Sequence, residues 1–98
     1  MFDKMKQLQQ MKEQMDVLKE RLNSISVKGD CQGVTVVANG NRKIMEVIIP
    51  KESMEAGDNE ELAELVLMAT NQALENAENL NETEMRGMAG GLMGGLGF

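Results

Sequence analysis

The sequence predicts an α+β fold: a long N-terminal helix, a three-stranded antiparallel sheet with a tight β-hairpin, a second helix, and a Gly/Met-rich C-terminal tail. Three observations carry this. The stretch from Gly33 to Pro50 alternates apolar side chains on either side of Asn39-Gly40-Asn41, and Asn-Gly is the strongest short hairpin signal because both residues tolerate positive φ. Apolar residues at spacings of three and four precede it, and a second helical pattern follows it. A lone hairpin is not stable in water, so the helices flanking it in sequence are what can cover its apolar face.

The first helix is expected over residues 2–24. Leu8, Met11, Met15, Leu18, Leu22 and Ile25 form a heptad seam, continued loosely upstream by Met1 and Met5. At 1.5 Å per residue the helix is about 35 Å long. A small sheet cannot cover that length, so the N-terminal part is expected to project from the body. The helix's other faces are expected to carry Lys4, Lys6, Lys12, Lys19 and Arg21, mixed with Asp3, Glu13, Asp16 and Glu20. Taken alone, such a stripe suits either a coiled-coil arm with a solvated charged face or an arm whose cations meet phosphates.

Strands are expected within 25–49. Ile25–Lys28 is a short strand, Gly29-Asp30 a turn, and 33–38 with 43–49 the hairpin, ended by Pro50, which has no N–H to donate. On the hairpin, Val34, Val36 and Ala38 share one face, as do Met45, Val47 and Ile49. A polar loop follows over 54–59. Asp58 is placed to cap a second helix over 59–80, with Glu61 three residues on. Leu62, Leu65, Val66, Ala69, Ala73, Ala77 and Leu80 line one face of it, and Ala63, Leu67, Thr70 and Leu74 an adjacent one. Two apolar faces imply two burial partners. Residues 1–84 then form a single domain and 85–98 a Gly/Met-rich tail, expected to be flexible because closely spaced glycines do not favour a helix.

The composition excludes several classes of function. With no histidine and one cysteine, no zinc or haem constellation can be assembled. The serines have no histidine to serve as base, and no glycine-rich phosphate loop follows a strand. We read the chain as a non-enzyme without metal, cofactor or small-molecule substrate. Cys31 cannot close an intrachain disulfide, which suits a reducing compartment. The charged, amphipathic N-terminus does not resemble a secretory signal, and no apolar run approaches the roughly 20 residues of a membrane span. A soluble cytoplasmic protein is expected. With two aromatics, Phe2 and Phe98, the core is small and gains from being shared, which favours a dimer. Charge is uneven: residues 1–51 carry nine basic and six acidic side chains, and residues 52–98 carry one and ten.

The order of these elements is itself informative. A Met/Gln/Lys-rich helix precedes Gly-Val-Thr-Val-Val-Ala-Asn-Gly-Asn-Arg. An apolar strand ending in Ile-Ile-Pro follows, and then Asn-Glu-Glu-Leu-Ala-Glu-Leu-Val-Leu-Met-Ala-Thr-Asn-Gln-Ala-Leu. This pattern, over nearly the whole chain, resembles the YbaB/EbfC family of bacterial nucleoid-associated proteins, most specifically over Val36–Arg42 and Leu65–Leu74. The resemblance implies a tweezer-like homodimer with paired helical arms. It also implies a cytoplasmic protein that binds double-stranded DNA with little sequence preference, in nucleoid organisation and gene regulation. Carried onto this sequence, the DNA-binding candidates are Lys4, Lys6, Lys12, Lys19 and Arg21 on the first helix, with Arg42 and Lys43 at the hairpin tip as a second set. A duplex would have to use the first helix and avoid the acidic second one. The alternative is a protein–protein interaction module that uses the Met-rich helix or the apolar tail without DNA.

Overall fold

The computed structural model describes residues 2–95, with side chains for 3–88. In chain order it contains α1 (Phe2–Ser24), β1 (Ser26–Cys31), β2 (Val34–Asn39), β3 (Ile44–Ile48), α2 (Lys51–Glu55) and α3 (Asn59–Gly95). The strands form one antiparallel sheet in the order β1-β2-β3. Val36 lies opposite Gly29 on one side and Val47 on the other. The radius of gyration is 19.0 Å, against about 13 Å for a compact chain of this size. The molecule extends 65 × 22 × 17 Å, because both long helices run past the sheet.

The core lies between α3 and the first two strands. Val34, Val36 and Ala38 are fully buried against Leu65, Ala69, Ala73 and Ala77, with Val27, Cys31, Leu62 and Val66 packed around them. The small residues of α3 serve the sheet. A Cβ built on Gly29 would stand 1.9 Å from the Ala69 carbonyl oxygen and 2.5 Å from the Ala73 nitrogen. The helix backbone thus rests on the β1 backbone, and only glycine fits there. This corrects the turn expected at Gly29-Asp30. Both residues are in β1, and the reversal falls at Gln32 (φ 49) and Gly33 (φ 89).

Two further boundaries move. The expected polar loop begins inside a short helix, α2, whose first turn is set by Pro50 at its N-cap (φ −62, ψ 144). Lys51 and Glu55, one turn apart, lie 3.8 Å from each other. The second long helix continues past residue 80 to Gly95, where the sequence predicts an end and then a tail. It starts as expected, with the Glu61 amide donating to Asp58 Oδ1 at 3.0 Å. Residues 59–86 contain neither glycine nor proline, so nothing local stops the helix at 80. Of the apolar tail residues, Leu92 and Met93 have side chains outside those described, and Leu96 and Phe98 lie outside the described residues altogether.

Candidate nucleic-acid interface

α1 is held to the body by its last two turns. Leu18 and Leu22 are 8% and 2% exposed, whereas Met5, Leu8, Met11 and Met15 are 67%, 66%, 50% and 42% exposed. The seam is buried where α1 meets the hairpin and α3, and open along the rest. The projecting arm expected from the length of the helix is therefore present.

The hairpin tip fixes the arm's angle. Gly40 N donates to the Leu22 carbonyl at 2.8 Å. A Cβ on Gly40 would lie 2.7 Å from Leu22 Cδ2. Asn41 Nδ2 donates to the Lys19 carbonyl at 2.9 Å and to Asn23 Oδ1 at 2.6 Å. Asn39, 3% exposed, accepts from the Asn41 and Lys43 amides at 2.9 and 3.2 Å. Asn81 of α3 donates to the Gly40 carbonyl at 3.0 Å. The Asn-Gly-Asn turn thus joins α1, the sheet and α3. Its positive φ falls on Arg42 (φ 64) and not on Asn39 or Gly40. Gly40 is required by its closeness to Leu22.

All seven predicted cations are exposed, but the structure does not bring them together. At about 100° per residue, Lys12 and Lys19 share one flank of α1 with Asn23, the residue bonded to the hairpin tip. Arg42 and Lys43 follow Asn41 on that tip, so these four cations border one junction. Asp16 lies on the same flank and offsets part of their charge. Lys6 and Arg21 face the other way, toward a groove between α1 and α3 lined by Gln10, Gln14, Val17, Glu84 and Met88. Arg21 is already engaged there, its Nη2 3.3 Å from Glu84 Oε1. Lys4 falls on the seam itself. Sequence reasoning missed Glu84 and the asparagine cluster. The Asn-Gly-Asn triplet signalled a turn, and nothing local marked it as a junction of three elements.

The acidic side chains are set apart. Glu60, Glu64, Glu75, Glu78 and Glu82 are exposed, on the face of α3 opposite the buried alanine stripe. Among the described residues, no group of three or more His, Cys, Asp or Glu side chains is placed to hold a metal ion. No helix there is long and apolar enough to cross a membrane.

The described residues form a helix–sheet body with a cation-bearing helical arm. Residues 1–92 match the YbaB/EbfC DNA-binding family, and the chain belongs to that family. It is 41% identical over 88 residues to a nucleoid-associated protein of Caldanaerobacter subterraneus subsp. tengcongensis, covering 88% of this chain and 79% of that one. It is 38% identical over 90 residues to one of Clostridium kluyveri, covering 90% and 79%. With one from Chloroflexus aurantiacus the identity is 37% over 92 residues, covering 92% of each.

Proposed function

We propose that this chain is a nucleoid-associated protein that binds double-stranded DNA as a homodimer in the cytoplasm. It grips the phosphate backbone with little sequence preference. The observation that carries the reading is a DNA-binding family's chain whose Lys12 and Lys19, on one flank of a projecting arm, border Arg42 and Lys43 at the hairpin tip. Lys12 and Lys19, about 10 Å apart along the helix, act with Arg42 and Lys43. Lys4 and Lys6 extend the basic field, and Arg21 acts mainly by holding α1 against α3. No element is presented as a groove-reading helix, so the contacts position the duplex without specifying bases. Residues 1–84 serve as the folded unit of this function.

Homodimerisation is supported by β3. Every residue of this outer strand is exposed, including Ile44, Met45, Val47 and Ile48. α3 covers β1 and β2 and leaves β3 bare, beside the half-buried Val66 and Leu74. A second copy seated on β3 and this flank of α3 would complete the small core.

The test is the affinity for a random-sequence duplex at 50 and 200 mM salt, read by fluorescence anisotropy. With about five phosphates neutralised, affinity falls a few hundredfold between the two. An affinity that does not respond to salt contradicts a backbone grip.

A further inference from the structure

The distal α1 seam is an apolar feature that duplex binding leaves unexplained. Leu8, Met11 and Met15 stay 66%, 50% and 42% exposed. An unpaired heptad seam on a stable helix is a binding face for another helix. Methionine makes such a face adaptable. The flanking positions along the seam say which kind of helix fits. On one side they are Lys12 and Lys19, on the other Gln7, Gln14 and Arg21. None is acidic.

Those flanks disfavour a second α1 as the occupant. Antiparallel pairing sets Lys12 against Lys19 of the other copy. Parallel pairing buries Lys4 against its counterpart and gains no opposite-charge pair. The molecule itself shows what the seam accepts. At the base of the arm the hairpin tip at Gly40 covers Leu22, and α3 approaches α1 beside it, where its Glu84 pairs with the flanking Arg21 at 3.3 Å. The groove opened by this pairing continues along α1 past Val17, Gln14 and Gln10, with Met88 on its far wall.

We propose that the distal seam of α1 is a docking site for an amphipathic helix with acidic flanks, belonging to a partner protein. The partner's apolar stripe covers Leu8, Met11 and Met15, and its carboxylates meet Lys12 and Lys19. The pairing repeats along the arm what α3 and Glu84 do at its base.

The test uses the full-length protein and three fluorescent synthetic peptides, each about three heptads long. The first is amphipathic with glutamate flanks, the second a scramble of it that destroys the stripe, and the third amphipathic with lysine flanks. The first is expected to bind at least about tenfold more tightly than either other peptide. It should lose that advantage in Leu8→Ser/Met11→Ser and weaken in Lys12→Gln/Lys19→Gln. Equal binding of the scramble would reduce the effect to bulk charge, and equal binding of the lysine peptide would reduce it to general stickiness. Either result overturns the proposal, as does no binding. A fall in oligomeric state in Leu8→Ser/Met11→Ser, seen by sedimentation, would overturn it as well, by assigning the seam to a second copy.

Discussion

At the scale of single residues, two glycines and three asparagines hold the arrangement. Gly29 lets the α3 backbone rest on β1, and the clash in Gly29→Ala is with backbone atoms that cannot rotate away. We expect this substitution to cost about 2 kcal/mol or more, measured as a lowered urea midpoint with unchanged slope. The sequence offered Gly29 as a turn signal, because glycine serves both turns and close approaches. Only the alanines of a helix some 40 residues downstream decide between them. Asn39 and Asn41 were legible as turn residues, but their bonds to Asn23 and to the Lys19 carbonyl join segments far apart in sequence. Asp58, by contrast, was legible as a cap, since capping depends only on the next three residues.

At the scale of elements, periodicity was a sound guide wherever an element's partner lay along its whole length. The alanine stripe of α3 is buried along the sheet as its spacing implies, whereas the seam of α1 is buried at Leu18 and Leu22 and exposed at Leu8, Met11 and Met15. Helix ends read less well: α3 runs beyond 80 because the six residues that follow contain no breaker, while the sequence placed an end where the apolar stripe stops. The candidate site was legible in residue type and not in arrangement. Sequence spacing put five cations on α1, yet Arg21 faces Glu84, and Lys12 with Lys19 faces the tip. The clasp at the tip has a consequence for binding. Asn41→Ala removes two hydrogen bonds that fix α1, at a cost of about 1–2 kcal/mol in stability. It removes no cation. DNA affinity should therefore fall while the slope of log affinity against log salt stays that of the wild type, checked by anisotropy titrations across a salt series.

At the scale of the whole molecule, the entirely exposed strand β3 is where the proposed dimer can be tested. Val47→Glu places a charge in the middle of β3, opposite Val36 and on the same face of the sheet, at the margin of the core that α3 covers. Val47 is already 46% exposed, so the monomer should tolerate the change. Sedimentation equilibrium should show a shift from dimer toward monomer. The wild type running as a monomer at high micromolar concentration would remove the dimer from the account. The net charge of −6 then takes on its meaning through distribution, with the excess acid on the outer face of α3 and the excess base on the arm and tip. The most direct test of this account is the salt slope of duplex binding in two charge-removal variants beside the wild type. In Lys12→Gln/Lys19→Gln/Arg42→Gln/Lys43→Gln the slope should shrink by about three to four units, close to one per lost phosphate contact. In Lys6→Gln/Arg21→Gln it should change by about one unit or less. Equal losses in the two variants, or an unchanged slope in the first, would contradict a grip centred on the junction of α1 with the hairpin tip.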